Sequence, residues 1–249
     1  KEQLRTLPMR SEKAAKELSF AQKRIWFLDQ LAEEKQNHHL VLARKLKGDV
    51  NAEYLRKAFE IVASRQQACR TAFATDEMGV AQVQIIDQLK WELPVIDVAS
   101  SESEYYGADV DTVVERESVC QFDLAKAPLL KTKLLQLSPK ESVLLVIIHY
   151  IISDDWSVGV LVDEVSRVYQ SIAAGYPSSL PELPVQYADY AVWQRKCFES
   201  GVYDDQLVYW KERLAAVKPI DLPYDHPRPK VMQNHGEKRG FVFLPELSE

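Results

Sequence analysis

The run HYIISDDWS, His149 to Ser157, places an imidazole, a phenol and two carboxylates within a few residues of one another. It follows directly on VLLVII, Val143 to Ile148, the most apolar stretch of the chain. An imidazole has an unperturbed pKa of ~6.5 and can accept a proton near neutrality. A phenol, at ~10, donates a hydrogen bond readily but accepts a proton poorly. An aspartate such as Asp154 can orient a ring or pair with a buried cation. The polar end of a buried strand is also a common address for ligand chemistry where helices flank a sheet. The same residues have a reading without chemistry. His149 is then a satisfied core histidine, and Ser153, Asp154 and Asp155 are caps for the helix that follows. Spacing alone leaves both readings open.

The elements that must position these groups are legible in outline. VLLVII is apolar without alternation, as a strand buried on both faces would be. PLLKTKLLQL precedes it across SPKE, a connection short enough to pair the two strands antiparallel. After the aspartates, Val158, Leu161, Val162, Val165, Val168 and Tyr169 recur at helical spacing. Upstream, LSFAQKRIWFLDQLAEE reads as a helix with Ser19 as N-cap, and LVLARKLKG as a strand stopping at Gly48. Asp49 or Asn51 can cap the next helix, with Leu55, Phe59, Ile61 and Val62 on or near one face. CRTAFAT and VAQVQII read as strands about a turn at DEMG, and LPVIDV as a shorter strand. Helical character spans about Ser101 to Val119, where the acids of EYYGADVDTVVERE are expected on a solvated face. Two more helices fall around QYADYAVWQRKCFE and YDDQLVYWKERLAA, and RGFVFLPEL begins another strand near Gly240. Trp26, Trp156, Trp193 and Trp210 lie in these helical stretches and are expected to serve packing. The pattern is mixed α and β, neither strictly alternating nor segregated.

The bulk properties narrow the function. The 249 residues are 46% hydrophobic, enough for a sizeable core, and the formal charge is −6. No basic stripe marks a nucleic-acid partner. No apolar run approaches the ~20 residues that span a bilayer. The opening KEQLRTLPMRSEKAAKEL lacks the apolar stretch of a secretory signal, and three cysteines without metal spacing read as free thiols, so a cytoplasmic setting is expected.

Several segments carry a resemblance in the same order as a known family. HYIISDD resembles the HHxxxDG motif of the condensation domains of nonribosomal peptide synthetases, which have the chloramphenicol acetyltransferase-like fold. LSFAQKRIWFLDQL resembles that family's first motif, RQQACRTAF its second (RHExLRTxF), VQYADYAVWQR its fourth, and DLPYDHPRP the connector after it. The resemblance runs from about Leu18 to the end. It implies an α/β lobe with a mixed sheet, half of a two-lobed molecule with a tunnel between the lobes. It further implies attack of an amine on a thioester, both delivered on the phosphopantetheine arms of donor and acceptor carrier proteins, with no cofactor or metal bound directly. Adjacent synthetase domains and the second lobe would be the other partners. The expected organisation is a linker or docking segment over 1–17, the lobe over 18–180, and a helical bridge, connector and start of a second lobe over 181–249.

Carried over residue by residue, His149 takes the first histidine of the motif, Tyr150 the second, Asp154 the aspartate, and Asp155 the glycine. Arg70 takes the arginine that in the family pairs with that aspartate, and Gln66 and Gln67 replace its His-Glu. Trp156 and Ser157 follow as expected supports of the site. The family assigns catalysis to the second histidine, so a phenol stands in the proton-acceptor position. Loss of a positioned base costs ~10²–10⁴-fold in rate. Since successive strand side chains face opposite ways, His149 is not expected to share the tunnel with Tyr150. Three expectations follow: a condensation lobe with weak or no activity; an active acyltransferase using Tyr150 as hydrogen-bond donor; or a platform that docks carrier proteins or partner domains.

Overall fold

The computed structural model describes residues 17–31, 38–177, 180–220, 223–225 and 227. The strand expected near Gly240 and all but the last residue of the expected opening segment lie outside these. The chain divides into two compact units, Lys1–Asp204 and Asp205–Glu249. In the second, α6 (Asp204–Leu214) carries Tyr209 and Trp210 packed edge to face at 5.3 Å.

In the first unit, local chemistry sets the element ends. Helix α1 (Phe20–Leu31) starts at a reciprocal cap, in which the Ser19 hydroxyl accepts the Gln22 amide at 3.1 Å and Gln22 Oε1 accepts the Ser19 amide at 3.0 Å. Strand β1 (His39–Lys47) stops where Gly48 takes a φ of 103°, a conformation that other residues rarely adopt. Asn51 caps α2 (Ala52–Arg65) by accepting the Tyr54 amide. A single 3₁₀ turn (Gln67–Arg70) leads into the hairpin of β2 (Thr71–Thr75) and β3 (Ala81–Ile85). The Asp76 carboxylate closes that hairpin by accepting the Met78 and Val80 amides. Strand β4 (Val95–Asp97) and helix α3 (Val110–Ser118) follow; α3 is shorter than the sequence suggests, and Ser101 to Gly107 form turns.

Strands β5 (Leu130–Ser138) and β6 (Glu141–His149) pair antiparallel as expected, and β6 also pairs antiparallel with β1. With β4 parallel to β5, the sheet order is β1-β6-β5-β4. The sheet is mixed, as expected, and lies in an α/β arrangement. Burial of β6 on both faces explains its lack of alternation. Leu144, Val146 and Ile148 join a core with Leu55, Phe59 and Val62 of α2 and with Leu161, Val165 and Val168 of α4 (Asp155–Ala173). Leu145 and Ile147 point the other way, onto Phe73, Phe122 and Leu129. Each such aliphatic side chain, fully buried, contributes about 1.5–3 kcal/mol. Helix α5 (Tyr187–Glu199) completes the unit.

Three packing expectations change. Ile61 lies on the outer side of α2, exposed. Trp156 is 82% exposed, while the tryptophan of the core is Trp91, which stacks on Phe59 at 5.5 Å and donates its indole N–H to Thr132 Oγ1. The α3 acids are solvated except Glu117, which is drawn inward by Lys133 and the Tyr105 hydroxyl.

Candidate functional site

The motif straddles the C-terminal end of β6 and the first turn of α4. Alternation along β6 decides which ring goes where. His149 continues the Leu145–Ile147 face and is buried, 2% exposed, with the edge of Phe122 against it at 5.9 Å. Tyr150, one residue further, is 40% exposed, and its amide donates to the His38 carbonyl at 2.9 Å. The phenol therefore occupies the accessible side of the strand end, and the imidazole the interior, as expected from the period of two.

The His149 ring is held in one tautomer. Its Nδ1 accepts the Ile151 amide at 3.1 Å, so in the neutral ring the proton sits on Nε2, which is buried without a hydrogen-bond partner among the described residues. Burial drives its pKa down to about 4, and His38 and His39 add to the effect. His38 lies 6.3 Å away, centroid to centroid. Such a ring is neutral at physiological pH, but its acceptor nitrogen is already committed to the backbone.

Asp154 is the N-cap of α4. Its carboxylate accepts the Ser157 amide at 2.8 Å and the Ser157 hydroxyl at 2.5 Å, which together hold its pKa below the usual carboxylate range. Asp155, in the place of the motif glycine, is the first residue of α4. No described non-glycine residue has a positive φ, so the change to aspartate strains nothing. Trp156 and Ser157 follow on the exposed first turn, where Ser157 supports Asp154 and Trp156 stands in solvent.

Arg70 does not pair with Asp154, contrary to expectation. Its guanidinium donates to the carbonyls of Ala63 (2.9 Å), Ser64 (3.1 Å) and Ile86, with Asp87 further off. The last carbonyls of α2 have no partner within the helix. A rigid fork of donors beside them meets that need. Asp154 is exposed and engaged as a cap, so it offers no buried charge for an arginine to neutralise.

The residues replacing His-Glu are structural. Gln66 donates from Nε2 to both Glu164 oxygens (3.0 and 3.1 Å), beside an Arg65–Glu164 ion pair at 2.5 Å. Gln67 offers its amide to Gln186 Oε1, whose Nε2 donates to the Arg65 carbonyl. The end of α2 is thereby tied to α4 and to the start of α5. A cleft of about 190 Å³ opens beside the motif, lined by Gln66, Cys69, Ile152, Ser153, Trp156 and Tyr187 among others. Glu164, Gln186, His38 and His39 were not singled out from sequence. Only the His38-His39 doublet at the head of β1 offered a signal.

The mixed sheet and the order of the motifs along it have counterparts among known proteins. The profile of the Condensation domain family matches residues 13–247. One of the linear gramicidin synthase proteins of Brevibacillus parabrevis is 37% identical over 238 residues, 95% of this chain and 5% of that one. Phosphinothricin tripeptide synthetase PhsC of Streptomyces viridochromogenes is 33% identical, over 93% of this chain and 21% of its own. The crystal structure of the X-domain from teicoplanin biosynthesis is similar with a TM-score of 0.78 and 28% identity, over 91% of this chain and 49% of that one. The chain belongs to the condensation-domain family of nonribosomal peptide synthetases. It spans about half the length of the solved X-domain and a small part of each synthetase.

Proposed function

We propose that this chain is the N-terminal lobe of a condensation domain in which amide formation between a carrier-bound thioester and a carrier-bound amine is weak or absent. The observation that carries this is the placement of Tyr150. A phenol holds the accessible end of β6 where the family motif has a histidine, and the adjacent imidazole of His149 is turned inward with its acceptor nitrogen bonded to Ile151. The imidazole therefore has no free acceptor nitrogen to offer an incoming amine. Asp154 is spent on capping α4 and Asp155 adds a charge beside it. Donor and acceptor carriers, the second lobe and adjacent synthetase domains are the partners in this reading, with phosphopantetheine arms bearing the substrates and the cytoplasm as the setting.

A second reading is a docking platform without chemistry. It is favoured by the similarity to the teicoplanin X-domain, for which a structure in complex with OxyB is known, similar to this chain at 28% identity and a TM-score of 0.77. Coupling assays on the complete two-lobed protein, with both carriers loaded, separate the readings through Tyr150→His and Tyr150→Phe. A large gain from Tyr150→His supports a site disabled at position 150. A large loss from Tyr150→Phe instead marks a working phenol that donates a hydrogen bond, and overturns the reading. No effect from either, with partner binding retained, favours the platform.

A further inference from the structure

His149 is buried, and three histidines crowd the end of β6. His38 lies 6.3 Å from His149 between ring centroids, and His39 faces the same Phe122 ring at 6.5 Å. His38 Nδ1, like His149 Nε2, is buried without a hydrogen-bond partner among the described residues. Around His149, the head of β1 contributes His38 and His39. Strand β5 contributes Lys131, whose Nζ sits 5.1 Å from the Phe122 ring centroid. Helix α1 contributes the neutral amide of Gln22, bonded to the Ile151 carbonyl at 3.3 Å. Among the described residues no carboxylate pairs with His149, so a positive charge there would meet only potential cations and apolar rings.

The hydrogen bond that His149 makes is one that protonation must destroy. The neutral ring carries its proton on Nε2 and accepts the Ile151 amide at Nδ1. The next proton can bind only at Nδ1, which then becomes a donor facing another donor. We propose that His149, with His38 and His39 around it, is an acid-sensitive catch for the end of β6. A proton added to the ring expels the Ile151 amide and frees the turn that carries Tyr150. The catch is closed when the His149 ring is neutral. A buried histidine whose pKa is depressed in the folded protein supports the fold fully above its unfolded value of ~6.5 and loses that support as the pH falls from there toward about 4. Residues Tyr150 and Ile151 therefore loosen before the centre of the strand does.

Amide hydrogen exchange on the full chain, corrected for intrinsic rates, tests this. Between pH 7 and pH 5 the protection of the Tyr150 and Ile151 amides is expected to fall more than tenfold, with Leu145 and Val146 unchanged. In His149→Asn, where a side-chain oxygen can accept the Ile151 amide without titrating, the fall disappears. In His38→Gln/His39→Gln, which retains the buried ring of His149 and removes the lesser contribution of its two neighbours, the fall is measurably smaller. Constant protection in the wild type down to pH 4 would overturn the proposal. So would an undiminished fall in either variant, and the double variant keeps the test decisive should His149→Asn not fold.

Discussion

At the scale of single residues, the motif separates into groups that hold the backbone and one group that faces outward. Asp154 and Arg70 both belong to the first kind, and each does so alone. Their independence is measurable. Asp154→Ala removes an N-cap and is expected to cost about 1 kcal/mol. Arg70→Ala leaves the carbonyls at the end of α2 without donors and is expected to cost about 1–3 kcal/mol. Denaturant unfolding of both single variants and the double variant should give additive losses, with a coupling below ~0.5 kcal/mol. A buried ion pair between them would couple by several kcal/mol instead. The sequence suggested that pair because the two residues match the family's positions. It could not reveal that Arg70 is nearer to the carbonyls of Ala63 and Ser64, a contact fixed by how α2 ends and β3 leaves.

At the scale of elements, what was legible depended on range. β6, its hairpin partner β5 and the inner stripe of α4 follow from local pattern, because full burial removes alternation and helical packing imposes its own period. Helix α3 starts later than the sequence pattern suggests because its charged, helix-tolerant run continues through turns closed by Ser100 and Ser103. The junction at the end of α2 was illegible because its parts are distant in sequence: Glu164 receives Arg65 and Gln66, whose nearest indication was a departure from a family motif. With side chains only 16% and 10% exposed, Arg65 and Glu164 depend on each other. Glu164→Ala leaves the Gln66 amide without its acceptor and Arg65 with only the Pro181 carbonyl, and is expected to lower stability by about 3 kcal/mol, read as a lower urea midpoint at unchanged slope. Glu164→Gln, which keeps an acceptor, should lose less.

At the scale of the whole molecule, family order was the strongest signal in the sequence. Motifs spread from Leu18 to the Asp221–Pro229 connector identify the condensation family, and the residues inside the third of them then show how this member differs. Composition contributed exclusions only; among the described residues no helix is long and apolar enough to cross a membrane. The sheet presents the end of β6 with Tyr150 accessible and His149 interior, and the proposed loss of amide formation rests on that one exposed side chain. The most direct measurement is single-turnover amide formation by the complete two-lobed domain, wild type beside Tyr150→His, with loaded donor and acceptor carriers. A gain of about 10²-fold or more is the expected result. Equal rates, or a slower Tyr150→His protein, would contradict the assignment of position 150 as a proton-acceptor slot that the phenol leaves unfilled.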